Sequence, residues 1–148
     1  MNTALIRAEE VLEKNKILTA PVDVEKIMQI EGLDLEEWQF EGRIKEVYLG
    51  DCIGVKKGLP SCERRELVAH ALGHHFLGVG NHCYFATHNY LTLKKQERTA
   101  QCFAAYILVP KALLAGAEDM EIYELAEYFK VTEDFIRFRL ELDRLNQK

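Results

Sequence analysis

Five residues, His70-Ala71-Leu72-Gly73-His74, constrain this chain more than any others. They lie in a stretch opened by Pro60-Ser61 and running through Leu77, with Leu67, Val68, Ala71, Leu72 and Phe76 spread nearly all round a helical wheel. A helix that is apolar on every side is a central, buried one. Residues four apart share a helix face, so His70 and His74 aim two imidazoles at one point. The motif H-E-x-x-H uses that arrangement to hold zinc, with the glutamate as general base for the attacking water. Here the second position is Ala71. The chain keeps the geometry of a metal pair and lacks the group that would make it a hydrolase by that motif.

Two histidines four apart also occur as plain hydrogen-bonded core residues. Three features favour a metal here. The pair sits inside an apolar helix, where neutral histidines need partners. Gly73 lies between them and lets another segment approach closely. The next strong helical pattern, Lys94 to Val109 ahead of Pro110, carries Glu97 with Ala100 and Ala104 on the same face. Small residues allow tight packing, and tight packing would bring Glu97 to the histidines. Two imidazoles, one carboxylate and one open position form the usual catalytic zinc geometry. The same ligands suit other divalent ions.

The remaining sequence predicts an α+β, mostly helical domain. The chain has 148 residues, enough for one core, and a net charge of -5, which argues against DNA binding by the fold as a whole. No apolar run is long enough to span a membrane. Asn2 to Asn15 reads as a short amphipathic helix, and Val24, Ile27 and Met28 begin a second that stops near Gly32. Three extended runs follow, at Leu33 to Phe40, Arg43 to Leu49 and Cys52 to Val55, punctuated by Gly42, Gly50 and Gly58. They predict a small three-stranded antiparallel meander. Lys111 to Ala115 reads as a single turn. Glu121 to Phe129 and Thr132 to Leu145 read as a helix pair, with Leu125, Phe129, Phe135, Ile136 and Leu140 as its core face. The expected division is one domain, 1–148, made of helices and sheet (1–59), metal-site helices (60–110) and a C-terminal helix pair (111–148).

Secondary candidates follow from position. Glu66 precedes His70 by one turn and is the nearest substitute base, although a solvated or salt-bridged role suits it better. His82 and His88, on an irregular segment, are alternative ligands or substrate contacts. Cys83 is a weaker candidate ligand, and Tyr84 and Tyr90 are candidate oxyanion donors. His75 points about 100° away from His74 and should not share its metal. Lys130, Arg137 and Arg139 are the cations of the C-terminal pair, diluted by Glu133, Asp134, Glu141 and Asp143, so packing explains that pair better than DNA binding. Cys52, Cys62, Cys83 and Cys102 form no C-x-x-C pair and, without a secretion signal, fit reduced thiols in the cytoplasm.

Three segments in order resemble one family. Arg65-Glu66-Leu67-Val68-Ala69-His70-Ala71-Leu72-Gly73-His74 is similar to the active-site helix of ImmA/IrrE-type metallopeptidases. Glu97-Arg98-Thr99-Ala100-Gln101-Cys102-Phe103-Ala104-Ala105, running to Leu108-Val109-Pro110, is similar to that family's E-x-x-A-x-x-F-A-A…P segment. Leu125 to Thr132, running to Arg139-Leu140, resembles its C-terminal helix-turn-helix-like pair. The resemblance implies a zincin-like fold, zinc held by His70, His74 and Glu97, and action on a helix-turn-helix repressor in mobile elements or stress responses. The chain departs from the family at Ala71, and at Gly78, where many relatives carry another histidine.

Ala71 bears directly on catalysis. A positioned base accelerates such proton transfer by roughly 10²–10⁴-fold, and a methyl group cannot act as one. Two expectations stand together: a zinc endopeptidase scaffold impaired as written, through a Glu→Ala change made to trap a complex, or a natural pseudo-peptidase acting as a metal-stabilised protein-binding module. In both, the partner is a protein, membrane association is absent and direct nucleic-acid contact is not expected.

Overall fold

The computed structural model describes residues 2–78 and 90–146. Its elements are α1 (Thr3–Lys14), α2 (Val24–Ile30), β1 (Asp34–Trp38), β2 (Glu46–Leu49), β3 (Cys52–Lys56), α3 (Ser61–Phe76), α4 (Tyr90–Leu108), α5 (Lys111–Ala115), α6 (Ile122–Phe129) and α7 (Glu133–Asn146). The α+β class read from the sequence holds. No helix among the described residues is long and apolar enough to cross a membrane.

The sheet corrects one expectation: it is mixed rather than an antiparallel meander. Strand order is β1-β3-β2. β2 and β3 form the expected hairpin across Gly50-Asp51, with Glu46 opposite Val55 and Leu49 opposite Cys52. β1 pairs with β3 in parallel, Asp34 opposite Cys52 and Trp38 opposite Lys56. The connection after β1 carries the chain past the central position, so β2 takes the far edge and the tight turn folds β3 back between the two. Ile53 and Val55 of this central strand are fully buried. At Gly54 between them the Trp38 ring crosses so closely that a Cβ would lie 2.6 Å from it. Side-chain bulk is excluded there, which is why a glycine stands in a strand interior.

α3 and α4 pack against each other at the centre. Val68, Ala69, Ala71 and Leu72 from α3 join Phe103, Ala104, Ile107 and Leu108 from α4 in one buried cluster, with Ala8 and Val11 of α1 and Ile27 of α2 against it. Ser61 is the first helical residue of α3 and Pro60 holds the N-cap position.

The C-terminal pair is clamped onto α3 by adjacent residues. Arg65 donates to the carbonyl oxygens of Lys130 (3.0 Å), Phe129 (3.1 Å) and Val22 (2.8 Å). The first two of these bonds satisfy carbonyls at the end of α6, where Lys130 turns through a left-handed conformation with φ 55°. Glu66 accepts from the Thr132 backbone N–H at 2.6 Å, and Thr132 Oγ1 caps α7 by accepting from Phe135 N at 3.2 Å. Leu125, Phe129, Phe135 and Ile136 are buried as expected, and Leu140 partly so. Arg139 is not a surface cation. It is fully buried, donates to Val109 O at 2.8 Å, pairs with Asp143 and lies 4.8 Å from the Tyr106 ring centroid.

Candidate metal centre

His70 and His74 lie in the second half of α3, His74 in its last turn, 6% and 2% exposed. α4 crosses that helix at Gly73, where a Cβ would meet the Ala100 carbonyl oxygen at 2.7 Å and the Ala100 Cα at 2.9 Å. No real Cβ tolerates such distances, so glycine sets how close the helices come. Glu97 stands three residues before Ala100, on the same face of α4. The tight crossing therefore delivers its carboxylate to the histidine pair.

One carboxylate meets both rings. His70 Nε2 lies 2.8 Å from Glu97 Oε2, and His74 Nε2 lies 2.9 Å from Glu97 Oε1. The ligand atoms of the three residues all fall within 4.8 Å of one another. Gln101, one turn after Glu97, places its amide oxygen 2.8 Å from His70 Nδ1. An amide oxygen only accepts, so Nδ1 carries the proton and Nε2 is the atom available to a cation. An outer hydrogen bond that fixes the tautomer in this way is characteristic of ligating histidines.

Charge favours a cation here. Burial, the largest influence, pulls the His70 pKa down, but the hydrogen bond to Glu97, the charges of Glu46 and Glu97 and the bond to Gln101 outweigh it, and the net shift is upward from the usual 6.5. A site that raises an imidazole's affinity for a proton attracts positive charge, and a divalent ion answers the same demand. The donor set of two imidazoles and one carboxylate fits zinc and several other divalent metals.

Other candidates are placed elsewhere. Ala71 is fully buried in the core cluster. Glu66 spends its carboxylate on Thr132 rather than on the centre or on solvent, and burial raises its pKa in spite of those bonds. His75 turns away as the helical angle requires, taking a 2.9 Å bond to the Tyr48 hydroxyl and a 3.0 Å contact with Glu31. His82, His88, Cys83 and Tyr84 lie outside the described residues, and Tyr90 begins α4. Sequence reasoning missed Gln101, although its spacing from Glu97 was a usable signal. It also missed Glu46, which is fully buried on β2.

Comparison with known proteins bears on the fold and the family. A solved structure of a Mycobacterium tuberculosis transcriptional regulator superposes with a TM-score of 0.71 at 16% identity, covering 95% of this chain and 56% of that one. This chain thus spans little more than half the length of that protein, and the likeness is one of fold. No curated protein matches the sequence. The family pattern for the M78 peptidases, described as the IrrE N-terminal-like domain, matches residues 27–141. That span takes in the sheet, both helices of the histidine–glutamate cluster and most of the clamped C-terminal pair, and the chain belongs to this family of metallopeptidase-like proteins.

Proposed function

We propose that the chain is a zinc-dependent endopeptidase scaffold that engages a helix-turn-helix repressor, and that Ala71 impairs its hydrolysis. The observation carrying this reading is the convergence of His70 Nε2, His74 Nε2 and both Glu97 oxygens in one buried spot. When bound there, a divalent cation supplies Lewis acidity toward a substrate carbonyl. Gln101 holds His70 in the ligating tautomer, and Glu97 balances part of the cation's charge. Among the described strands β2 lies at the edge of the sheet, with β3 on one side, the kind of position at which an extended segment of a protein substrate can add. The helix supplies no base at position 71, which removes roughly 10²–10⁴ of the rate such a residue contributes. The description of the structural relative as a transcriptional regulator supports a partner from gene control.

The test uses the zinc-loaded Ala71→Glu variant and a helix-turn-helix repressor encoded beside its gene. Cleavage at one bond, much faster than by the parent, supports the reading. An intact repressor with zinc bound to the variant contradicts it.

A second reading has its own observation. Ala71 is fully buried within the apolar cluster while the surrounding cluster is intact, which suits a natural pseudo-peptidase that binds its partner without cutting it. A native gene that encodes glutamate at position 71 would end that reading.

A further inference from the structure

Leu18 is 79% exposed, more than any other large apolar side chain among the described residues. It lines a cleft of about 500 Å³ between the end of α1 and α5, to which His70, His74 and Glu97 contribute nothing. Leu12, Ile17 and Leu113 form the floor, the first buried and the other two partly so.

The α1 side of the cleft is built by a closed helix end. Past Asn15 the chain turns at Lys16 with φ 55°. The Lys16 N–H donates to Glu13 O at 3.0 Å and the Ile17 N–H to Leu12 O at 2.9 Å. That pair of bonds finishes a helix through a left-handed residue and sets the residue after the turn against the last helical turn. Ile17 is thereby fixed beside Leu12, and Leu18, the next residue, is carried outward.

The charges at the rim indicate what covers the floor. Glu9 and Glu13 stand one turn apart on the α1 side, and Lys111 stands on the α5 side. All three are exposed, and none has an ion pair among the described residues. The acid pair repels an anionic lipid surface or a nucleic acid. A second copy in a two-fold contact sets one hollow against the same hollow and leaves both floors open. The walls are helical and keep their backbone groups for themselves, so an extended strand finds no ladder to join. The shape that fits is a convex helix with an apolar stripe, carrying cations four residues apart on the flank that meets Glu9 and Glu13.

We propose that this cleft docks a basic amphipathic helix of a partner protein, with Leu18 and Leu113 against its apolar stripe and Glu9 and Glu13 against its cations. The apolar contact supplies affinity and the acid pair supplies selection. The surface is separate from the His70–His74–Glu97 cluster, and the proposal stands whether or not that cluster holds a metal.

The experiment titrates the full chain into two fluorescein-labelled helical peptides of about 18 residues and follows anisotropy. Both carry leucines at i, i+3 and i+4 spacing; one has lysines on its flanks and the other glutamates. The parent should bind the lysine peptide at least about tenfold more tightly than the glutamate peptide. Glu9→Lys combined with Glu13→Lys should reverse that preference, and Leu18→Ala should weaken the parent's binding about tenfold. Glu41→Lys combined with Glu127→Lys changes the net charge equally, away from the cleft, and should keep the preference. All these side chains are exposed, so the variants should melt with the parent. Equal affinity of the parent for both peptides, no binding up to about 1 mM, or a Leu18→Ala affinity equal to the parent's overturns the proposal. So does a preference lost as fully in the Glu41–Glu127 variant, which makes the attraction one of net charge. A parent dimer that Leu18→Ala dissociates in sedimentation puts a second copy in the cleft. Cosedimentation with phosphatidylcholine vesicles that Leu18→Ala abolishes puts a membrane there. Either result overturns the proposal too.

Discussion

Gly73 on α3 and Ala100 on α4 meet backbone to backbone, with room for no side-chain atom between them: a Cβ on Gly73 would lie 2.7 Å from the Ala100 carbonyl oxygen. The contact fixes the separation of the two helices that carry the histidines and Glu97. Gly73→Ala forces them apart, and overpacking of this kind costs about 1–3 kcal/mol, or roughly 3–10 °C in Tm for a chain of this size. Metal retention should weaken with it, because Glu97 moves with α4. Thermal melting and metal analysis of the variant check both effects, and a variant as stable and as metal-rich as the parent would contradict the assignment.

Gln101 accepts from His70 Nδ1 at 2.8 Å. Removing an outer partner of a ligating histidine typically weakens metal binding by about 10–100-fold. Gln101→Ala should therefore lose zinc to a competing chelator at a correspondingly lower chelator concentration while its fold persists. An unchanged Kd would show that the bond does not orient a ligand.

The His70 pKa is raised in the fold from its usual 6.5: burial opposes the charge most strongly, and the Glu97 bond with the Glu46 and Glu97 charges prevails. A raised folded pKa means that His70 stabilises the metal-free fold fully below about pH 6.5 and that this contribution fades as pH rises through the folded value. With chelator present, the Tm advantage of the parent over His70→Gln should shrink as pH increases. Stabilisation by added zinc should run the opposite way, growing with pH as the competing proton leaves Nε2. Melting curves with and without zinc across that range test both signs, and a parent-to-variant gap that widens with pH in the chelated protein would refute the first.

Glu66 belongs to the clamp rather than to the centre, accepting from Thr132 N at 2.6 Å. Glu66→Ala removes a cap at the start of α7 and should cost about 0.5–2 kcal/mol. Metal content should stay at the parent's level. A variant that loses its metal while keeping its stability would return Glu66 to the active centre.

The His70–His74–Glu97 cluster was more legible in the sequence than the sheet, and for a physical reason. Helical spacing records which residues share a face, so His70, His74, Gly73, Glu97 and Ala100 could be assembled from their positions alone. Strand pairing leaves no such record. The runs at Leu33 to Phe40 and Cys52 to Val55 were legible as strands, but nothing in their alternation distinguishes a parallel neighbour from an antiparallel one. Glu46 was missed because an acid beside Lys45 reads as solvent-facing. Its membership of the Tyr48 face becomes informative only once that face is known to meet α3. Arg139 stayed ambiguous for a similar reason: burial against Val109 and Tyr106 is a tertiary fact.

The most direct measurement of the central claim is metal content by elemental mass spectrometry, on the purified chain offered zinc and on Glu97→Ala treated identically. The account predicts about one zinc per parent chain and a marked loss in the variant. A parent that takes up no metal would contradict it and leave the histidines and Glu97 as a hydrogen-bonded core.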